Sequence, residues 1–233
     1  LTVTKLNQFY GESHTLWDLS LDVPAGACTC LMGRNGAGKS TLLRCVMGLE
    51  AVRDGEMRIE GTALMALPAE SRARLGIGYV PQGRGIFGRM TVSENLATGE
   101  TVGALSGAAA ANYDRVFRFF PRLRERLSQK AGTMSGGEQQ QLAIGRVLIG
   151  MPKLVLLDEP SEGIQPNIIQ EIGRIIRRLS TEENLTVIIV EQNLELIEAS
   201  ADRCLVMDKG TIIAEIEPMA LKDPQVSKKY LAI

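Results

Sequence analysis

Short apolar runs punctuated by glycine organise this chain. Leu1–Leu6 and Leu16–Val23 read as strands, and the turn Pro24-Ala25-Gly26 leads into Ala27–Met32, apolar enough for a buried strand. A glycine-rich loop follows. The spacing of Leu42, Leu43, Val46 and Met47 then predicts a helix over Lys39–Met47, with Gly48 as its C-terminal stop. The alternation resumes with a strand at Leu154–Leu157. The next helix carries Ile168, Ile169, Ile172, Ile175, Ile176 and Leu179 on one stripe, opposite Glu171, Arg174, Arg177 and Arg178. Thr186–Val190 is a further strand, and Cys204–Met207, Asp208-Lys209-Gly210 and Thr211–Ala214 read as a hairpin.

The stretch from about Pro81 to Gln141 breaks this rhythm. It holds an Ala/Gly-rich piece, Gly103–Ala111, and the arginines Arg115, Arg118, Arg122, Arg124 and Arg126. It reads as a mostly helical insertion whose arginines form a solvated face or, alternatively, bind phosphate. Strands alternating with helices predict an α/β fold with a mainly parallel sheet and ligands at the carboxyl ends of the strands. The expected organisation is one domain over residues 1–233. Its catalytic core spans about 1–80 and 142–233, and its helical part about 81–141.

Composition narrows the chemistry. With 233 residues, 45% apolar and 23% charged, the chain has the make-up of a globular protein. Its 26 basic and 27 acidic residues leave a net charge of −1, without bulk attraction to nucleic acid or an anionic membrane. Uninterrupted apolar runs such as Leu154–Leu157 and Val187–Val190 are far shorter than the roughly 20 residues that span a bilayer. The first residues show no basic-then-apolar signal pattern. The single histidine, His14, excludes metal sites built on two imidazoles and allows a Ser-His-Asp triad only through itself. Cys28, Cys30, Cys45 and Cys204 lie in apolar segments without C-x-x-C spacing, as small hydrophobes in a reducing compartment do. Cys28 and Cys30 face the same side of one strand, so a metal or redox pair there is the alternative.

Three motifs carry the chemistry that remains. Gly33-Arg34-Asn35-Gly36-Ala37-Gly38-Lys39-Ser40 fits G-x-x-x-x-G-K-[ST] between an apolar strand and an amphipathic helix. Its glycines let successive N–H groups turn onto phosphate oxygens, and the helix N-terminus adds positive potential. Lys39 would neutralise the β- and γ-phosphates, and the Ser40 hydroxyl would ligate Mg²⁺. The second motif is Lys153-Leu154-Val155-Leu156-Leu157-Asp158-Glu159, a buried strand ending in two carboxylates, which are costly there unless they meet a cation, a proton or a polarised water. Asp158 would hold Mg²⁺ and Glu159 would act on the attacking water. The third is Met134-Ser135-Gly136-Gly137-Glu138-Gln139-Gln140 at the start of a helix running to about Ile149, a second anion-binding helix terminus. Two such termini in one chain make sense if two copies sandwich a nucleotide between them.

With these motifs in order, the chain resembles the nucleotide-binding subunit of an ABC transporter from about Tyr10 to Glu217. The resemblance implies a P-loop NTPase fold: a mainly parallel sheet core, an N-terminal antiparallel β part and a helical insertion. It implies an ATPase using ATP and Mg²⁺. Gly33 to Ser40 with Thr41 would hold the phosphates, Tyr10 would stack on adenine, and Gln82 would be the hinge glutamine linking Mg²⁺ and water to the helical part. Ser135, Gly136, Gly137 and Glu138 would form the signature turn, and Ser161-Glu162-Gly163-Ile164-Gln165 the inter-subunit loop. Two features depart from the family pattern, the signature turn and the position after the Thr186–Val190 strand. Met134 and Glu138 stand where leucine and glutamine are more frequent, and Gln192 stands where a histidine usually contacts the γ-phosphate. Glutamine still donates a hydrogen bond but carries no positive charge, so it suits a hydrogen-bond donor and not a proton shuttle. The expected catalytic set is Glu159, Lys39 and Gln192, with Ser40, Gln82 and Asp158 around the metal and His14 a surface or turn residue.

Partners implied by the resemblance are a second ATPase subunit, identical or related, and transmembrane permease subunits docked near Gln82–Phe87, with no nucleic acid. The place implied is cytoplasmic, on the inner face of the cell membrane. Gly83-Arg84, Thr133–Gln140 and Val190–Asn193 resemble the paired ATPases of branched-chain amino acid and urea importers. Ser161–Pro166 and Asn7-Gln8-Phe9-Tyr10-Gly11 lean towards the urea branch. The expected cargo is therefore a small polar solute, urea or short amides. A branched-chain amino acid importer is the alternative, and a soluble cassette outside transport is the third reading.

Overall fold

The chain enters as two long antiparallel strands, β1 (Thr2–Tyr10) and β2 (Ser13–Asp22), in a computed structural model that describes residues 1–103 and 109–231. There follow β3 (Cys28–Met32), α1 (Lys39–Met47), β4 (Asp54–Ile59), β5 (Thr62–Ala63), α2 (Ala69–Arg74) and β6 (Ile77–Val80). Four helices come next: α3 (Val92–Gly103), α4 (Ala109–Phe119), α5 (Pro121–Glu125) and α6 (Gly136–Ile149). The chain returns through β7 (Leu154–Asp158), α7 (Pro166–Glu183), β8 (Thr186–Val190), α8 (Leu194–Ser200), β9 (Arg203–Asp208), β10 (Thr211–Ile216) and α9 (Pro224–Leu231).

Two sheets result. One is antiparallel, in the order β2-β1-β4-β5; the other runs β10-β9-β3-β8-β7-β6, parallel throughout except for the edge strand β10. In β3, β7 and β8 every residue is buried, because both faces of the parallel sheet are covered. Cys28, Cys30, Val155, Leu157, Val187 and Ile189 point towards α6, α7 and α8. Leu31, Leu154, Leu156, Ile188 and Val190 point towards α1 and the antiparallel sheet. Alternate residues of each strand thus serve different cores, which is why the sequence shows continuous apolar runs there.

Several sequence expectations need adjustment. β1 runs to Tyr10 and not to Leu6, because bulges at positive-φ residues Lys5 and Asp18 interrupt the alternation without ending the pairing. His14 sits inside β2, half-buried between the Phe9 and Trp17 rings at 4.0 and 3.7 Å, and not in a turn. The strands β4 and β6 and the helix α2 had no clear signal between Glu50 and Val80. Residues 104–108, the centre of the Ala/Gly-rich piece, lie outside the described residues. α6 continues across residue 141, where the core and helical parts were expected to meet. Among the described residues, no helix is long and apolar enough to cross a membrane.

The arginine-rich piece makes internal ties. Arg115 and Arg118 of α4 both pair with Glu183 at the end of α7, joining the helical section to the core. All four cysteines are free and buried, Cys30 lying beside Cys204 across the β3–β9 ladder.

Candidate functional site

The parallel sheet puts the carboxyl ends of β3, β6, β7 and β8 on one side, and the turns that leave them converge there. After β3 the chain must pass beneath β9: at Gly33, with φ of 142°, a Cβ would lie 2.1 Å from the Met207 carbonyl oxygen. Gly38, at φ 99°, caps α1 and turns the N-terminal amides of the helix outward. The result is a cleft of about 450 Å³ lined by Tyr10, Asn35, Lys39, Ser40, Gln82 and Glu159, among others. Its size suits a nucleotide-sized ligand.

Lys39 lies along the floor of this loop, 5% exposed, with Nζ donating to the carbonyls of Gly33 (2.7 Å) and Arg34 (3.0 Å). Burial pulls its ammonium below its ordinary value, while Glu159 and Asp158 pull in the other direction. Ser40 Oγ donates to Asp158 Oδ1 at 2.9 Å, and the Tyr79 hydroxyl donates to Asp158 Oδ2 at 3.3 Å. Burial nonetheless lifts the Asp158 carboxyl above the ordinary range. Glu159 is lifted too, first by burial and then by the adjacent charge of Asp158. Two carboxylates destabilised in their charged form, beside a hydroxyl and a carboxamide, make a set of hard oxygen ligands that a small divalent cation would relieve.

Glu159 occupies a positive φ of 46°, strained for a residue with a Cβ and held by its N–H bond to the Val190 carbonyl at 2.9 Å. Gln82 Nε2 donates to Glu159 Oε2 at 3.0 Å, and Gln192 Nε2 donates to Asn35 Oδ1 at 3.0 Å. Gln192 therefore reaches over the phosphate loop from the end of β8. Tyr10 is 43% exposed at the edge of the cleft, its hydroxyl 3.5 Å from Thr41 Oγ1, with its ring free to meet a flat ligand. His14 is absent from the cleft lining, and its Nε2 donates to Asn7 Oδ1, 2.9 Å away.

The Ser135 turn lies apart from this cleft. Ser135 caps α6 through a reciprocal capping box with Glu138: Ser135 N and Oγ donate to the Glu138 carboxylate, and Glu138 N donates back to Ser135 Oγ. Burial alone would raise the Glu138 carboxyl. The Ser135 hydrogen bonds and Arg126, 3.2 Å away, hold it below the ordinary range.

Sequence reasoning missed three side chains that organise the site. Tyr79 holds Asp158, but an aromatic in a short strand carries no motif. Glu191, 3% exposed, accepts from Ser161 N (3.1 Å), Gln192 N (2.7 Å) and Asn193 N (2.9 Å), joining the loop after Glu159 to Gln192. Asn95, fully buried in α3, binds both the N–H and the carbonyl of Phe87 and so anchors the segment that follows Gln82. A buried acidic or amide residue beside a motif was the available signal for the last two.

Comparison with known proteins bears on this geometry. The ABC transporter family pattern matches residues 16–162. The chain is 45% identical over 232 residues to the high-affinity branched-chain amino acid transport ATP-binding protein BraG of Pseudomonas aeruginosa, covering 99% of both chains. It is 35% identical to the probable branched-chain amino acid transport ATP-binding protein LivF of Archaeoglobus fulgidus, over 91% of this chain and 89% of that one. Among solved structures, an ATP-binding cassette of an ABC transporter in its ADP conformation superposes with a TM-score of 0.84 at 28% identity, covering 97% of this chain and 96% of that one. The family pattern covers the phosphate loop, the Ser135 turn and the Asp158-Glu159 pair, and the chain belongs to the ABC transporter family as one of its ATPase cassettes.

Proposed function

We propose that this cassette hydrolyses Mg-ATP between its own phosphate loop and the Ser135 turn of a second cassette, and so powers import through membrane permease subunits. One observation carries the reading: Lys39, Ser40, Asp158, Glu159 and Gln82 converge on one nucleotide-sized cleft, while the remaining anion-binding turn lies outside it. The triphosphate would lie along the N–H groups of Gly36 to Thr41, at the N-terminus of α1, with adenine against Tyr10. Lys39 would exchange a loop carbonyl for the β- and γ-phosphate oxygens. Ser40, Asp158 and Gln82 would hold Mg²⁺, whose charge stabilises the transferring phosphoryl group when it is bound. Glu159 would orient the attacking water and take its proton, and Gln192 would donate a hydrogen bond to the γ-phosphate.

The permease would dock along Gln82–Phe87 and the helical section, on the inner face of the cell membrane. Phe87 is half exposed there, with the Arg146 guanidinium 5.3 Å from its ring centre. For cargo, the relatives above favour the amino acid alternative over urea. BraG matches this chain over 99% of its length and is named for branched-chain amino acid transport. The partner cassette is a second copy or a related chain of the same family.

Phosphate release from Mg-ATP, measured with and without Mg²⁺, tests the chemistry, and uptake of leucine against urea in cells carrying the full transporter tests the cargo. Hydrolysis independent of Mg²⁺, or urea uptake that depends on this subunit, would overturn the respective part.

A further inference from the structure

Three segments of the catalytic region meet at one guanidinium. Arg84 follows Gln82 by two residues. Its Nη1 donates to Gln139 Oε1 at 3.1 Å, and its Nη2 donates to the Glu162 carbonyl at 2.8 Å. Gln139 Nε2 passes the connection on to the carbonyls of Met134 (3.1 Å) and Ala131 (3.3 Å), behind the Ser135 turn. Glu162 belongs to the loop that opens at Glu159, whose carbonyl accepts its N–H at 3.1 Å. The turn and the loop also touch directly: a Cβ on Gly136 would lie 2.7 Å from the Gly163 carbonyl oxygen and 3.1 Å from Arg84 Nη2.

The backbone at Arg84 is correspondingly constrained. Its φ is 72°, in the left-handed region, which costs a non-glycine residue about 1 kcal/mol and persists only where the surroundings impose it. Its N–H bonds to the Pro81 carbonyl at 2.9 Å, and Asn95 fixes the far end of the segment at Phe87. Between these anchors Gln82 reaches Glu159.

We propose that Arg84 is a positioning residue that couples nucleotide contact at Gln82 and Glu159 to the placement of the Ser135 turn and the 161–164 loop. The inference rests on the ATPase reading above and deepens it. The Gln82 segment, the loop after Glu159 and the Ser135 turn are joined inside one chain by this side chain. Arginine suits this position because its planar fork serves two acceptors in different directions at once, whereas a lysine ammonium has no such fixed fork.

Amide-resolved hydrogen exchange on the full chain tests it, with and without Mg-ATP, in a Glu159→Gln background that conserves the nucleotide. The parent should show slower exchange at Gly36–Thr41 and a nucleotide-dependent change at Ser135–Gln139 and Ser161–Ile164. Adding Arg84→Ala should leave the loop's protection within about twofold, the usual limit for independent sites. The change at the turn should fall about tenfold, as expected for a lost charged hydrogen bond. A merely structural role would raise exchange at the turn without nucleotide and leave its nucleotide-induced ratio intact, which overturns the proposal. Arg84→Lys, which retains charge but loses the fork, should show the same loss if the alanine variant does not fold. A preserved response in that variant also overturns the proposal. Absent protection of Gly36–Thr41 in the parent would overturn the ATPase reading, whereas a protected loop with an unresponsive turn would overturn the coupling alone.

Discussion

The phosphate loop and the Ser135 turn are both helix N-termini that present amides, yet the chain finishes one and leaves the other incomplete. Around the loop, β3, β7 and β8 bring Lys39, Asp158, Glu159 and Gln192 together, and the ammonium compensates the charge of the carboxylates. At the Ser135 turn, the Glu138 carboxylate engages the Ser135 N–H and hydroxyl itself. Arg126, on its far side, offsets part of that charge. A helix N-terminus attracts anions only as far as its local charges permit. The loop therefore suits binding phosphate within one chain, and the turn suits completing a site whose charge is already neutralised by another chain.

The sharpest way to break this contrast is at Glu159, the carboxylate we assign to the attacking water. Glu159→Gln should retain ATP binding and lower turnover by about 10²–10⁴-fold, the usual contribution of a general base, as read by phosphate release. Near-normal turnover would remove Glu159 from its role. The next largest effects separate the two termini. Lys39→Ala should weaken equilibrium ATP binding by about 10–100-fold, through loss of charged hydrogen bonds. Ser135→Ala should leave single-chain ATP affinity within about twofold, lower turnover, and destabilise the fold by about 1 kcal/mol through loss of the cap. Titration calorimetry and thermal unfolding read both. Gln192→Ala should reduce turnover about tenfold with little change in affinity, the loss of one hydrogen bond to a charged group. An unchanged rate would make that position idle.

The smallest effect has the opposite sign. Glu138→Gln keeps a capping-box partner for Ser135 but removes a negative charge from the turn. ATP-driven association should tighten by about 2–5-fold, the scale of one charge at a helix terminus. Weaker association would show that the carboxylate, and not the amides, holds the partner's ligand.

How much of this was legible in sequence follows from where the constraint is local. Lys39–Met47 was bounded correctly because Gly38 and Gly48, at φ 99° and 80°, are local signals at its two ends. The buried runs of β3, β7 and β8 were equally plain. Gln82 and Gln192 were placed by family resemblance, and the structure brings both to within hydrogen-bond distance of cleft residues. Arg84, Tyr79 and Glu191 act across 55 to 78, 79 and 30 positions of chain, and no local periodicity encodes such pairings. His14 was expected at a turn or surface because its aromatic neighbours Phe9 and Trp17 meet it only after β1 and β2 pair.

The central claim is that the loop and the turn complete one another between chains. Specific ATPase activity of the purified chain, measured across protein concentrations beside sedimentation in Mg-ATP, tests it most directly. The account predicts that activity per molecule rises with concentration and levels off as an ATP-dependent dimer fills. Activity strictly proportional to protein, from a species that remains monomeric throughout, would contradict it.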